Sequence, residues 1–407
     1  MLEVLFILLV FAGQSGVYIL VFNRVLMDAT AGRFRTFVIV VLAPLVLIVL
    51  PTAGVIAFSL SGGLAGVMRF RGPAGAAWLA GAYVAAVVVG AARFLWVSLV
   101  SQPRRPRPAM VTAERRSVCR YRPDNREQAR RLVPWVFRPL DRWNQRFDLE
   151  INDFDLSPPG LPEAFDGFSI VHLSDLHVSH HEPPGWHDFV LAQVERLRPD
   201  LIVVSGDYFL RTEALPRVER ILSRLRAPEG VWAIRGNHDI WEAPEAAREI
   251  LERAGVTDLA NRRAAIRRGH AAIEIVGLEA PWDGARDWRA LFSSSRSTSN
   301  PGQPFAVVLT HTPDNAVRVA PLGGSLMVAG HTHGGQIRLP LVGSLVVPSR
   351  YGKWFDQGWF AVGSLALYVN KGVGAHEPPL RLACRPEIAR FILRAAAPAR
   401  PTRRTRV

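Results

Sequence analysis

The sequence predicts an α/β domain preceded by an all-α transmembrane region. Three observations carry that expectation. The first hundred residues hold three long apolar stretches with almost no charge. From about residue 161 the pattern changes to short apolar runs that end in polar residues and alternate with helical stretches. Between the two lies a proline- and arginine-rich segment. The chain therefore divides into a three-helix membrane region (1–100), a basic juxtamembrane connector (101–160), an α/β domain (161–395) and a basic tail (396–407).

At 407 residues there is room for more than one domain. The formal charge of +14 comes almost wholly from arginine, since Lys353 and Lys371 are the only lysines. The basic residues gather after the apolar stretches, and an arginine bias can follow from genome composition alone. No nucleic-acid partner is read from the charge. Cys119 and Cys384 provide neither a disulfide framework nor a thiolate metal site, and they suit a reducing compartment.

Leu2 to Phe22, Thr36 to Leu60 and Gly75 to Val100 are each long enough to cross a hydrocarbon core of roughly 30 Å. Pro44 and Pro51 are tolerated in such helices, and Arg93 can snorkel to an interface. The first stretch has no basic residues ahead of it and carries Glu3, so it reads as a retained helix and not as a cleaved signal. Arg24, Arg33 and Arg35 occupy the first loop, and Arg69 and Arg71 the second. The dense arginines after the third stretch decide the orientation. The positive-inside rule then places the C-terminal part in the cytoplasm and the N-terminus outside.

In the connector, Glu127 to Phe147 carries Arg130, Arg131, Arg138, Arg142 and Arg146 among Trp135, Phe137, Trp143 and Phe147. Two readings stand open. One is a helix lying on anionic headgroups with its aromatics at the interface. The other is a solvated helix linking two domains.

The α/β part begins with a strand over Phe168–Leu173, followed by Asp175-Leu176-His177. A helix spans Trp186–Leu197. The strand 200–204 ends in Ser205-Gly206-Asp207, and a helix covers Leu215–Leu225. The strand 230–234 runs into Gly236-Asn237-His238-Asp239, with a helix over 245–254. Strands follow at 272–278 and 305–309, the latter reaching His311. A last one, Leu326–Ala329, leads into Gly330-His331-Thr332-His333-Gly334-Gly335-Gln336. Ligand sites in α/β sheets gather just beyond the carboxyl ends of strands. Asp175, His177, Asp207, Asn237, His238, His311, His331 and His333 are therefore expected to converge on one edge.

Taken singly, each has another reading. Asp175 and Asp207 would serve as helix N-caps, Asn237 would hold a left-handed turn, and His238 and His311 would be loop histidines. Together they repeat one ligand chemistry at five strand ends. Oxygen and nitrogen donors without thiolate suit Mn, Fe or Zn, with Mn favoured. The set is too large for one tetrahedral ion and about sufficient for two, the arrangement that activates a water for phosphoryl displacement. His172, inside a strand, reads as a packed core residue. His180, His181 and His187 read as surface or substrate-side residues.

These motifs resemble those of the calcineurin-like metallophosphoesterase superfamily, in its membrane-associated bacterial branch. The pattern is D-x-H, G-D, G-N-H-D, a lone H and G-H-x-H, and all five blocks are present in order over roughly 235 residues. The resemblance implies a four-layer sandwich of two mixed sheets flanked by helices. It implies that Asp175, His177 and His333 hold one divalent ion, that Asn237, His311 and His331 hold a second, and that Asp207 bridges. His238 would stabilise or protonate the leaving oxygen, with Asp239 steadying the loop. The expectation is thus a multi-pass bacterial membrane enzyme in which a hydroxide held by two metal ions attacks a phosphate mono- or diester. Membrane lipids would be partners, and both a lipid-linked and a soluble ester are open as substrate. A sensor or scaffold that binds metal without catalysis is the alternative.

Departures are visible. Tyr208-Phe209-Leu210-Arg211 follows Asp207 where relatives often have a small apolar residue and then an acid. Residues 282–304 include a Ser/Thr-rich loop. Gly372 to Arg381 resembles a loop near the family's site, where Arg381 would contact either phosphate or structure. The tail from Pro398 is expected to be disordered.

Overall fold

In the computed structural model, the described residues are 106–395 apart from 124–132, 134, 181, 280, 282–287, 293–304 and 345, together with positions 89, 92 and 96. The three expected membrane helices, most of the Ser/Thr-rich loop and the basic tail lie outside them. No helix among the described residues is long and apolar enough to cross a membrane. The chain divides into two compact units, one of residues 105–336 and 357–407, the other of 1–104 with 337–356.

The larger unit holds two mixed sheets with helices. Its strands are β1 (Val111–Arg120), β2 (Asp148–Leu156), β3 (Ser169–Leu173), β4 (Leu201–Val204), β5 (Val231–Ala233), β6 (Thr257–Asp258), β7 (Arg263–Arg268), β8 (Ala271–Leu278), β9 (Ala306–Thr310) and β10 (Leu326–Ala329). In the smaller unit, β11 (Arg338–Leu339) and β12 (Gly343–Ser344) make a separate hairpin. The larger unit resumes with β13 (Gly358–Val362), β14 (Leu365–Val369) and β15 (Glu387–Leu393).

One sheet has the order β1-β2-β15-β3-β4-β5-β6 and the other β13-β14-β10-β9-β8-β7. The strands that precede the predicted ligands are parallel neighbours within their sheets: β3, β4 and β5 in the first, β9 and β10 in the second. The helices α1 (Trp186–Leu197), α2 (Leu215–Leu222), α3 (Asn237–Glu242) and α4 (Pro244–Arg253) all fall between β3 and β6, and a short α5 (Ala316–Val319) lies between β9 and β10.

Alternation along the strands builds two cores. Val171, Leu173, Ile202 and Val204 pack with Trp186, Val190 and Val194 of α1, Val218 and Leu222 of α2, and Ile250 and Leu251 of α4. Their neighbours Ile170, Leu201 and Val203 join Phe391, Ile275, Val307, Leu326 and Tyr368 between the two sheets. Because successive strand residues face opposite sides, continuous apolar runs suit strands buried on both faces. Each fully buried Leu, Ile or Phe here contributes about 1.5–3 kcal/mol of transfer free energy.

The stretch assigned to a connector contains structure that its charge concealed. β1 and β2 pair antiparallel over Val111–Arg120 and are part of the larger sheet. β1 lies at its edge and carries Glu114, Arg115, Arg116 and Arg120. Charge on an edge strand discourages pairing with other chains, and it also erases the apolar alternation that would mark the strand. The helix expected to Phe147 instead ends at Trp143, and its described part, Trp135–Trp143, is a 3-10 helix with Pro139 inside. Proline removes a backbone donor and disfavours a regular α-helix.

Candidate metal centre

Asp175 and His177 follow β3, Asp207 follows β4, Asn237 and His238 open α3 after β5, His311 follows β9, and His331 and His333 follow β10. Two sheets thus deliver strand ends to one place. His177 Nε2 and His333 Nε2 lie 2.9 Å apart, and His333 Nε2 is 3.3 Å from Asp175 Oδ1. On the other side, His311 Nε2 lies 3.1 Å from both Asn237 Oδ1 and His331 Nδ1. The donor atoms form overlapping groups, each within 4.8 Å: Asp175, His177 and His333; Asp207, His311 and His331; and His177, Asp207 and His238.

The backbone is strained to achieve this. Asp175 (φ 49°), His177 (41°), Asp207 (57°), His331 (70°) and His333 (52°) all sit in the left-handed region. Such conformations cost non-glycine residues on the order of 1–3 kcal/mol each and persist only where the surroundings impose them. Bonds between the loops provide that constraint. His177 N–H donates to the Asp207 carbonyl at 3.0 Å, and Gly330 N–H to that of His311 at 2.9 Å. His331 N–H donates to the Asp175 carboxylate at 3.1 Å. At Gly330 a Cβ would run into Ser174 Oγ and Asp175 Oδ2, so this close approach admits only glycine.

The donor chemistry fits divalent cations. Asp175, His177 and His311 are fully buried, and Asp207, Asn237, His238, His331 and His333 nearly so. Buried charges of one sign are costly unless compensated. Burial, opposed by His311 and reinforced by the Asp207 charge, raises the Asp175 carboxyl to about 6. Burial acts in the same direction on Asp207, but His311 and His238 outweigh it and hold that carboxyl well below its ordinary range. Burial keeps His177 and His333 neutral, as metal ligation requires. Against its burial, His311 is lifted to about 9 by Asp207. The surrounding carboxylates thus favour positive charge at that position, which a bound divalent cation would supply.

Neighbouring groups orient the donors. His311 Nδ1 donates to the Ser205 carbonyl at 2.7 Å, which directs Nε2 inward. Ser174 Oγ donates to Asp175 Oδ2 at 2.5 Å and accepts from Ser205 Oγ at 2.7 Å. Ser205 Oγ lies 2.9 Å from His172 Nε2. His172 is therefore a core residue, as its strand position indicated, with burial lowering it to about 3. Asp239 accepts from the backbone N–H groups of Asp207, Tyr208 and Gly236 at 2.7, 2.9 and 2.9 Å. That arrangement steadies the loop. Tyr208 and Phe209, the departures after Asp207, are core residues, and the Tyr208 hydroxyl donates to the Ile234 carbonyl.

Other expectations resolve differently. Arg381 is fully buried and donates to the carbonyls of Gly374, Lys371 and Gly372, so it braces that loop in preference to meeting phosphate. His187 lies buried in the first turn of α1 with Arg217 Nη2 3.2 Å from its Nδ1, and is not a surface residue. His180 is exposed, and His181 lies outside the described residues. Sequence reasoning placed the Gly372–Arg381 loop near the site without singling out His376, whose ring centroid is 5.3 Å from that of His238 and 5.8 Å from that of His177. Gln336 holds it there. Its amide donates to the carbonyls of His376 (2.9 Å) and Pro378 (2.8 Å) and accepts from His376 N–H (2.8 Å). The available signal was the Gly- and Pro-rich run around His376.

Two mixed sheets whose strand ends bring carboxylates and imidazoles together form a candidate metal centre. The family model for calcineurin-like phosphoesterases matches residues 168–335. The chain is 32% identical to the uncharacterized metallophosphoesterase YkuE of Bacillus subtilis over 251 residues, covering 60% of this chain and 86% of YkuE. It is 34% identical to the phosphodiesterase YaeI of Escherichia coli over 226 residues, covering 54% and 80%. It is 26% identical to the UDP-2,3-diacylglucosamine pyrophosphatase LpxG of Chlamydia trachomatis over 286 residues, covering 56% and 85%. The chain belongs to the calcineurin-like phosphoesterase family and is a phosphoester hydrolase.

Proposed function

We propose that this chain is a membrane-anchored phosphoesterase that uses two divalent cations, Mn favoured, to hydrolyse a phosphate mono- or diester, with a lipid-linked ester as the preferred class. One observation carries the two-cation reading. Asp207 Oδ2 lies 3.4 Å from His177 Nε2 and 3.2 Å from His311 Nε2, so a single carboxylate oxygen reaches both donor groups. Asp175, His177 and His333 would hold one cation, Asn237, His311 and His331 the other, and Asp207 both. When bound, the cations supply charge neutralisation at the phosphate and a nucleophile at neutral pH.

The chain's own residues do the rest. His238 has a ring nitrogen within 4.8 Å of donor atoms of His177 and Asp207, and its backbone N–H donates to Asp207 Oδ1 at 2.9 Å. From that position it would pass a proton to the departing ester oxygen. Asp239 positions the His238 loop. Buried side chains around the donors exclude bulk water and strengthen each electrostatic contact.

Membrane anchoring rests on the three apolar stretches of residues 1–100, and cytoplasmic placement of the hydrolase on the arginines that follow them. The lipid-linked preference rests on that anchoring and on the relative named for a diacylglucosamine nucleotide. Asp207→Ala in the full-length chain tests the site. Loss of bound Mn and of Mn-dependent hydrolysis of bis-p-nitrophenyl phosphate, with membrane insertion retained, is expected, and unchanged hydrolysis would overturn the assignment. Detergent-solubilised enzyme without preference for lipid esters over small soluble ones would remove the lipid-linked class.

A further inference from the structure

Residues 337–356 bury charged groups while leaving several apolar side chains exposed. β11 and β12 pair Arg338 with Ser344 and Leu339 with Gly343, leaving Pro340, Leu341 and Val342 at the tip. A 3-10 helix, Gly352–Phe355, packs on the hairpin through polar groups. Asp356 accepts from Arg338 Nη1 at 2.8 Å and from Ser344 Oγ at 3.0 Å. Lys353 Nζ donates to the Val342 carbonyl at 2.9 Å. Asp356 and Lys353 are buried.

Val347 and Phe355 are buried, but four other apolar side chains face outward. Leu341 is 89% exposed, Trp354 53%, Leu339 42% and Tyr351 38%. Leu341 also has φ 64°, a conformation that is costly for a leucine. Single exposed apolar residues are ordinary, but four large ones within one short segment signal a partner. Strain and exposure at the same side chain make the point sharper.

The composition identifies the partner. Exposed leucines in a hairpin, with an exposed tyrosine and tryptophan in the 3-10 segment that follows it, match a bilayer interface, where aromatic rings sit at headgroup depth and aliphatic side chains below. The same chain carries three membrane-length apolar stretches in residues 1–100, so on the membrane-anchored reading a bilayer is the apolar surface available to it. We infer that residues 339–342 insert into the lipid bilayer as a second anchor, with Tyr351 and Trp354 at the headgroups. The hairpin starts directly after Gln336 of the His331–His333 motif, so the anchor is joined in sequence to the candidate site. This inference rests on the membrane-anchored reading and is independent of the hydrolytic one.

The test uses the full-length chain in phosphatidylcholine–phosphatidylglycerol vesicles. Leu341→Cys, in a Cys119→Ser background with Cys384 buried, carries an environment-sensitive fluorophore. A His270→Cys label in the exposed β7–β8 turn serves as control. Insertion predicts quenching of the 341 label by brominated acyl chains and severalfold lower quenching by aqueous iodide than at 270. Equal iodide access at both positions overturns the inference, as does shielding from iodide without bromolipid quenching, which would point to cover by a second copy or by the chain itself. Failure of the vesicles to float the protein would overturn membrane anchoring as a whole, a result distinct from a non-inserted hairpin on floated protein. Leu341→Asp, with the label moved to Leu339→Cys, should lose the bromolipid quenching while hydrolysing small soluble esters at the parental rate, and quenching retained in that variant would overturn insertion of the tip.

Discussion

Glu279 receives Arg235 three times: from its backbone N–H at 2.9 Å, from Nε at 2.9 Å and from Nη2 at 2.6 Å. Both residues are buried, and Arg235 immediately precedes the Gly236–Asp239 loop. Removing one partner of a buried, hydrogen-bonded pair strands the other charge and costs about 3–5 kcal/mol. Arg235→Leu or Glu279→Leu should lower stability by that order in chemical denaturation and depress hydrolysis. The double Leu variant should recover part of the stability. Equal losses for single and double variants would show that the pair is not the cause.

Gln336 joins the His331–His333 turn to the His376 loop by three hydrogen bonds. Gln336→Ala removes them all, and Gln336→Glu removes the two that the amide donates. Each variant is expected to lose about tenfold in kcat/KM, equivalent to about 1.4 kcal/mol, with bound metal unchanged. Elemental analysis beside steady-state kinetics checks this, and parental kcat/KM in both variants would show that the loop needs no such support.

Glu182 gives a pH signature away from the donors. Burial raises its carboxyl to about 7 from an ordinary 4.5, although bonds from Ser179 and the charge of Arg217 oppose the shift. The folded state therefore holds a proton between those values that the unfolded state releases. Stability should fall as pH climbs from about 4.5 to 7 and level off above, by at most about 3 kcal/mol. Glu182→Gln keeps an acceptor for Ser179 and should flatten the slope. Denaturation midpoints across that pH range decide it, and an unchanged slope in the variant would assign the effect elsewhere.

On the proposed site, chelation should destabilise the fold as well as stop hydrolysis, because bound cations would compensate the buried Asp175 and Asp207 carboxylates. A ligand at a hundred times its Kd adds about 2.7 kcal/mol. The melting temperature should drop on chelation and return with Mn, and Asp207→Asn should blunt the response. A melting temperature indifferent to metal in the parental protein would contradict the fit of the donor set.

Much of the site was legible in one dimension. Every predicted donor follows an apolar run, and those runs are β3, β4, β5, β9 and β10, with Leu326–Ala329 and Trp186–Leu197 found at the expected bounds. Strong apolar periodicity and glycine-flanked turns survive without tertiary context because they are local. The same logic would have reached Glu279, which follows β8 as the donors follow their strands.

What the sequence determined by itself was the class of chemistry, since residue types at strand ends limit which ligand can be bound. Tertiary structure decided the rest. β1 joins the larger sheet because β2 supplies its hydrogen-bonding edge, which its arginines do not advertise. Arg381 became a loop brace because carbonyls from three residues converge on its guanidinium. The reach of Asp207 Oδ2 to both His177 and His311, on which the two-cation proposal rests, exists only because loops from two different sheets meet, and spacing along the chain carries no record of that encounter.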